Sequence, residues 1–349
     1  MKIFKSKKKK SYLRNIRQKK NKITSYIIRI LIILAIFLSP VFYDSTKGNT
    51  DFLKTLNTYI YNINKNFGTI VNDIVTNFLP PDENISSNLT VHFIDVGQGD
   101  AELIQVNGKN FLIDTGGPEY RENLLNYLDS LNIKKIDVFL ITHPHADHMG
   151  SAQSILERYR VDKVYMTNYV HTTELYKNFL LTVKEKGIKV IQARRGVTID
   201  LGENADVKIL APDRKYTNMN SSSAVVKLVY GKTSFLFAGD ATKETEKDIL
   251  ENEENNLRYL KVDVYKVAHH GSDTSSGSDF LNAIRPELSI VTVGKDNIYK
   301  LPNKAVVKRL KKINSIILTT RDNGTIKVFS DGKNISYQLK NGSIVKLYK

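Results

Sequence analysis

Four apolar runs in this 349-residue chain stop at side chains that bind cations or move protons, and this repetition constrains the fold more than any other feature. Phe111-Leu112-Ile113 stops at Asp114, and Val138-Phe139-Leu140-Ile141 stops at Thr142-His143-Pro144-His145-Ala146-Asp147-His148. Phe235 to Ala238 stops at Gly239-Asp240, and Val262 to Ala268 stops at His269-His270. Short apolar runs rich in β-branched and aromatic residues, bounded by turn residues, read as strands. A strand fixes its backbone, so turns at strand ends can aim several ligating side chains into one cavity. The His143 segment is the densest, with three of the seven histidines of the chain within six residues. Imidazole and carboxylate suit borderline divalent metals such as zinc or manganese. Taken singly, the other ends have plainer readings. Asp240 can cap the helix expected after it, and His269-His270 can be one core histidine beside one exposed.

Composition removes several alternatives. There is no cysteine, which excludes disulfides, thiolate metal sites and cysteine nucleophiles, so any metal must be held by His, Asp or Glu. The formal charge is +16, but residues 1–29 hold twelve Lys or Arg and no acid, leaving about +4 for the rest. The basicity therefore belongs to the N-terminal tail and says little about whether a folded domain binds nucleic acid. The tail, residues 1–22, runs into an apolar stretch over 23–43 that is long enough to span a bilayer, with Arg29 near one end. Basic residues ahead of it predict a cytoplasmic N-terminus and an extracytoplasmic remainder. A cleaved signal peptide and a secreted protein are the alternative, although Ser39 is followed by Pro40 and bulky residues, a poor cleavage pattern. Residues 44–88 read as a spacer broken at Pro80-Pro81, and the folded domain is expected over 89–349.

Within that domain the pattern predicts strands over 91–96, 101–106, 111–113, 138–141, 163–166, 188–192, 206–210, 225–230, 234–237, 262–268, 289–293, 316–319 and 325–329. Helices are expected near 121–131, 150–159, 173–186, 242–251 and after Pro302. Turns are expected at Gly97-Gln98-Gly99-Asp100, at Gly231-Lys232 and, as a hairpin, at Arg321-Asp322-Asn323-Gly324. Strands at both ends with helices between argue for a layered α/β fold on mixed sheets.

Five ordered segments then resemble the metallo-β-lactamase superfamily, and more closely the metallo-hydrolase domain of bacterial DNA-uptake competence proteins. They are His92 to Ala101, Leu112 to Gly117, Thr142 to Gly150, Phe237 to Asp240 and Lys266 to Ser272. The resemblance implies a four-layered αββα sandwich with one or two divalent ions, zinc or manganese, at one edge. By that resemblance His143 and His145 hold the first metal. Asp147 and His148 hold the second together with His269, preferred over His270 because it comes first off the strand. Asp240 bridges, and His270 stands near the substrate to protonate the leaving group. Asp147, Asp240 and His270 would carry the catalysis, while Asp95 and Asp114 orient ligands or turns.

The chain departs from the pattern where a third histidine for the first metal is expected. Asn218, Asn220, Ser221 and Ser222 stand there instead. Either that metal is weakly held, or the site is mononuclear, or His171 enters from a neighbouring loop; a capping role serves His171 equally well. Asn220 is a candidate substrate or water contact. The implied activity is hydrolysis of phosphodiesters, in DNA or in an envelope polymer of the teichoic-acid type, at a membrane-anchored site. A non-catalytic binding module on the same fold is the alternative from another class. No aromatic-basic stripe for single-stranded nucleic acid is legible in the sequence.

Overall fold

The apolar runs alternate in which face they bury. In Val138–Ile141, Val138 and Leu140 point into one apolar cluster while Phe139 and Ile141 point into another. The same alternation holds in Lys109–Ile113, with Phe111 and Ile113 on one side and Leu112 on the other. A strand that is apolar on both faces lies between two layers, and the computed structural model, which describes residues 88–347, has that arrangement. A nine-stranded and a seven-stranded sheet share one apolar layer, to which Val91, Phe93 and Ile104 contribute from one sheet and Val226, Phe235 and Phe237 from the other. Phe93 and Phe237 stack across it, with ring centroids 6.1 Å apart. The outer face of the first sheet is covered by helices Arg121–Ser130, Ala152–Arg158 and Glu174–Glu185. The outer face of the second is covered by Lys243–Asn252, Ser278–Ile284 and Lys304–Lys312. The order of layers is therefore helix, sheet, sheet, helix, as the resemblance implies.

Each sheet is antiparallel in one half and parallel in the other. Lys109–Ile113, Val138–Ile141, Lys163–Met166 and Lys189–Gln192 run parallel in the first sheet. Thr233–Phe237, Val264–Lys266, Leu288–Val291 and Ile316–Thr319 run parallel in the second. All four strands that stop at ligating residues are in these parallel halves, and in open α/β sheets the carboxyl ends of parallel strands are where ligand crevices form.

Two sequence expectations need correction. Arg321 to Gly324 does not close a hairpin: Ile316–Thr319 is the edge of the seven-stranded sheet, whereas Ile326–Ser330 pairs with Leu89–Phe93 in the other. Thr319 caps a single helical turn, Thr320–Asn323, with its hydroxyl accepting from the Asp322 amide at 3.1 Å, and the chain crosses between sheets there. The expected strand over 262–268 is only Val264–Lys266, and beyond it the chain coils into the left-handed turn at His269 and His270. Helix Ser278–Ile284 and strand Thr198–Asp200 were not foreseen. Among the described residues no helix is long and apolar enough to cross a membrane; the span expected over 23–43 lies outside them.

Candidate metal centre

The loop after Val138–Ile141 is fixed from behind before it presents any ligand. Asp114, at the end of the neighbouring strand, accepts from the Thr142 amide at 2.8 Å and stands 2.8 Å from Nδ1 of His148. The Gly97 to Asp100 turn presses on the same loop: the Asp100 amide donates to the Asp147 carbonyl at 3.1 Å. Gly99, at φ 146°, makes this approach feasible, since a Cβ there would lie 2.3 Å from the Asp147 carbonyl oxygen. Asp95 is further back and belongs to this turn, accepting from the Gly97 amide at 3.2 Å. It joins none of the candidate metal groups. Of the two orienting roles considered for it, shaping a backbone turn is the one the geometry carries.

Two clusters of ligating atoms meet at Asp240. The deep one contains Asp147, His148, Asp240 and His270. Nε2 of His148 is 3.2 Å from Asp240 Oδ1 and 3.9 Å from Asp147 Oδ2. Nε2 of His270 is 3.5 Å from Asp240 Oδ1 and 3.4 Å from Asp147 Oδ2. Nε2 of His148, Nε2 of His270 and Oδ1 of Asp240 are all buried without a hydrogen-bond partner. Such orphaned polar atoms are costly and call for an explanation. Four ligands held ~2.1 Å from a zinc-like cation stand about 3.4 Å from one another, the edge of a tetrahedron. The observed separations bracket that edge, so these residues fit a divalent cation.

The outer cluster contains His143, His145 and Asp240. Nε2 of His143 is 2.9 Å from Nδ1 of His145 and 3.8 Å from Oδ2 of Asp240. His269 flanks it, with Nε2 3.6 Å from Asp240 Oδ2 and 3.3 Å from the Asn220 amide nitrogen. Where the third histidine was expected, buried Ser223 puts its hydroxyl 3.3 Å from Nδ1 of His143 and accepts from the Asp240 amide at 3.1 Å. It braces the cluster from behind. His171 pairs with Thr173 at 2.9 Å, beside the cap of helix Glu174–Glu185, and enters none of the candidate groups.

The order of the adjacent histidines is the reverse of the expectation. His270, not His269, stands with Asp147 and His148. The cause is the backbone: both residues are left-handed, at φ 53° and 52°, so the chain coils tightly after the strand. His270 turns inward and donates from Nδ1 to the Thr292 carbonyl at 2.9 Å, which aims Nε2 at the cluster. His269 stays at the mouth, its Nδ1 held 2.9 Å from the Thr274 hydroxyl.

Electrostatics separates the two histidines of the deep cluster from those outside it. Burial disfavours a proton on His148, but Asp240, Asp147, Asp114 and Asp100 outweigh it and raise the pKa well above the usual imidazole value. His270 is likewise penalised by burial and then lifted to about 10, chiefly by Asp240 and Asp100. Burial, followed by the charge of His148, pushes His143 well below the usual value. Asp240 remains far below the carboxylate range because the histidines around it, led by His148 and His270, overcome its burial. A cation here therefore displaces protons, and its affinity must fall as pH falls.

Sequence reasoning missed the layer beneath. Fully buried Asp100 pairs with fully buried Lys266 and accepts from the Thr292 hydroxyl at 2.5 Å. Asp100 also stands 3.3 Å from Nδ1 of His270. The signal was present: Lys266 interrupts an apolar run, and lysine is almost never fully buried unless paired.

The cluster opens into a cavity of about 470 Å³, lined among others by Gln98, Asp147, Asn220, Asp240, His270 and Tyr299. The family model of the metallo-β-lactamase superfamily matches residues 94–295, which include all four strand ends that carry ligating residues. The chain is 29% identical over 262 residues to ComE operon protein 3 of Bacillus subtilis, covering 70% of this chain and 33% of that protein. It is 31% identical to Recombination protein 2 of Haemophilus influenzae, covering 68% and 28% of the two chains. It is 27% identical to Competence protein ComA of Neisseria gonorrhoeae, covering 67% and 31%. The chain thus spans about a third or less of the length of these relatives.

Proposed function

The chain belongs to the metallo-β-lactamase superfamily, and from that premise we propose that it is a metal-dependent phosphodiesterase. The observation that carries this reading is the set of orphaned, converging ligand atoms of His148, His270 and Asp240, with Asp240 shared by a second cluster. Asp147, His148, Asp240 and His270 would hold one cation, and His143, His145 and Asp240 a second. A divalent cation at such a site supplies a water nucleophile at neutral pH and polarises the substrate oxygen. The side chains of the protein do the rest. Asp114 and Thr292 fix the histidine rings, and Asp240 keeps its charge between the two clusters. His269, half-buried at the mouth beside Asn220, is placed to meet the leaving group. This moves the proton-donating role first given to His270 onto its neighbour.

Two clusters sharing one carboxylate favour a phosphodiester, whose attacking and leaving oxygens both carry charge. Relatives named as competence and recombination proteins support testing DNA first. The envelope-polymer reading uses the same centre and differs only in substrate. We place the activity outside the membrane, with residues 23–43 as anchor; protease digestion of intact spheroplasts should remove the domain without lysis, and protection would reverse the orientation.

The decisive experiment measures bound metal together with manganese- and zinc-dependent hydrolysis of bis(p-nitrophenyl) phosphate. Turnover that needs metal and vanishes in Asp240→Ala supports the reading. A protein that takes up no metal supports the binding module instead.

A further inference from the structure

One wall of the cavity has no part in the centre described above: the loop from Gly294 to Asn303. Tyr299 lines the cavity together with Asp147, Asp240 and His270, and it is 68% exposed. Ile298 beside it is 82% exposed. Single exposed apolar residues are ordinary, but Tyr299 stands at the mouth of a candidate metal centre on a loop that is firmly braced. The Asn297 amide nitrogen donates to the carbonyls of Gly294 and Leu301 at 3.0 and 3.1 Å, and its oxygen accepts from the Leu301 amide at 2.6 Å. The Asn303 amide donates to the Gly271 carbonyl at 2.9 Å. Pro302 packs so close that a Cβ on Gly271, which is at φ 80°, would stand 2.6 Å from it. The turn that carries His269 and His270 is thus keyed to the loop that carries Tyr299.

The chemistry around the ring is specific. Lys295 and Lys300 are exposed on the same loop and Lys304 opens the helix after it, with Asp296 exposed between them and Asp273 on the cavity lining. Gln98 and Asn220, elsewhere on the cavity lining, have side-chain oxygens without a hydrogen-bond partner. An exposed aromatic residue on a loop that also carries lysines is a combination that a single-stranded polynucleotide can use, base on ring and phosphate on lysine. A polymer of glycerol or ribitol phosphate would satisfy the lysines but has no face to lay on the ring.

We propose that Tyr299 is the stacking residue for a nucleobase of a single-stranded polynucleotide whose phosphate enters the Asp240 clusters. This rests on the phosphodiesterase reading and narrows it to one substrate class. The test uses the full-length protein, without added metal, titrated into an oligodeoxynucleotide carrying 2-aminopurine and, separately, into a glycerol phosphate polymer. Tyr299→Leu should weaken oligonucleotide binding about tenfold, while Tyr299→Phe should bind as the wild type does. The leucine variant should also lose the stacking-dependent quenching of 2-aminopurine that the phenylalanine variant keeps. Affinity for the glycerol phosphate polymer should be the same in all three proteins. Equal oligonucleotide binding by the leucine variant, or an equal loss for both polymers, overturns the proposal, as does a wild type that does not bind the oligonucleotide. Hydrolysis of bis(p-nitrophenyl) phosphate by the wild type, measured alongside, separates this failure from failure of the phosphodiesterase reading.

Discussion

The deep and outer clusters are built from similar residues but differ in what supports them. The deep cluster has orphaned ligand atoms on His148, His270 and Asp240, with its histidines backed by Asp114, Asp100 and the Thr292 carbonyl. In the outer cluster His143 and His145 already satisfy each other at 2.9 Å, and behind His143 stand the neutral hydroxyls of Thr142 and Ser223 rather than a carboxylate. Atoms oriented yet unsatisfied gain most from a cation; atoms with a partner must give it up first. The deep cluster should therefore fill first and hold its metal more tightly.

The largest effect tests what the clusters share. Asp240→Ala should lower turnover by about a thousandfold, because losing the shared carboxylate removes several kcal/mol of charge stabilisation. Near-normal turnover in that variant, with metal still bound, would refute the bridge. The next test sets the adjacent histidines against each other. His270→Ala should weaken binding of the tighter metal about a hundredfold, and His269→Ala should change it by less than tenfold while still slowing turnover. Calorimetric titration with zinc reads both, and the opposite ranking would return His269 to the deep cluster. A smaller change is expected one step back: Asp114→Asn should cost the tighter metal about tenfold and leave the weaker one nearly unchanged. Equal losses at both would mean that Asp114 supports the whole loop rather than His148 alone.

Metal affinity must be compared at several pH values, so acid unfolding has to be separated from metal release. His92, buried between Tyr127 at 2.8 Å and Gln105 at 3.0 Å, provides the control. Burial, aided by Lys327, depresses it from 6.5 to about 4. Between these values the unfolded chain binds a proton that the folded one refuses, so stability is full above about 6.5 and declines as pH falls toward 4. The loss at pH 5.5 should be about 1.4 kcal/mol. Urea unfolding of wild type and His92→Gln at pH 7.5 and 5.5 checks it; an identical acid loss in the variant would exclude His92 as the source.

Much of this was legible because apolar runs and ligating residues are local signals. Val138 to Ile141 and Lys163 to Met166 are strands with the boundaries read from the sequence, and Asp114 stands 2.8 Å from Nδ1 of His148. The errors fall where the deciding partner is distant. Asp-Asn-Gly between two apolar runs is a good hairpin signal, yet strand pairing with Leu89–Phe93 took the second run into another sheet. The choice between His269 and His270 turned on two consecutive left-handed residues and a carbonyl at Thr292, neither of which sequence spacing encodes. Lys266 was visible as an anomaly, but its partner lies 166 positions away.

The pairing of Leu89–Phe93 with Ile326–Ser330 also sets the order of assembly. The first described strand sits inside its sheet, between Glu102–Val106 and Ile326–Ser330, so one of its neighbours is made well over two hundred residues after it. Until Ser330 has emerged, Leu89–Phe93 presents a bare backbone edge to water, and such edges are templates for wrong pairing. Closure of that edge must therefore wait until Ser330 has been made, and a product truncated before Ile326 would be released with the edge open.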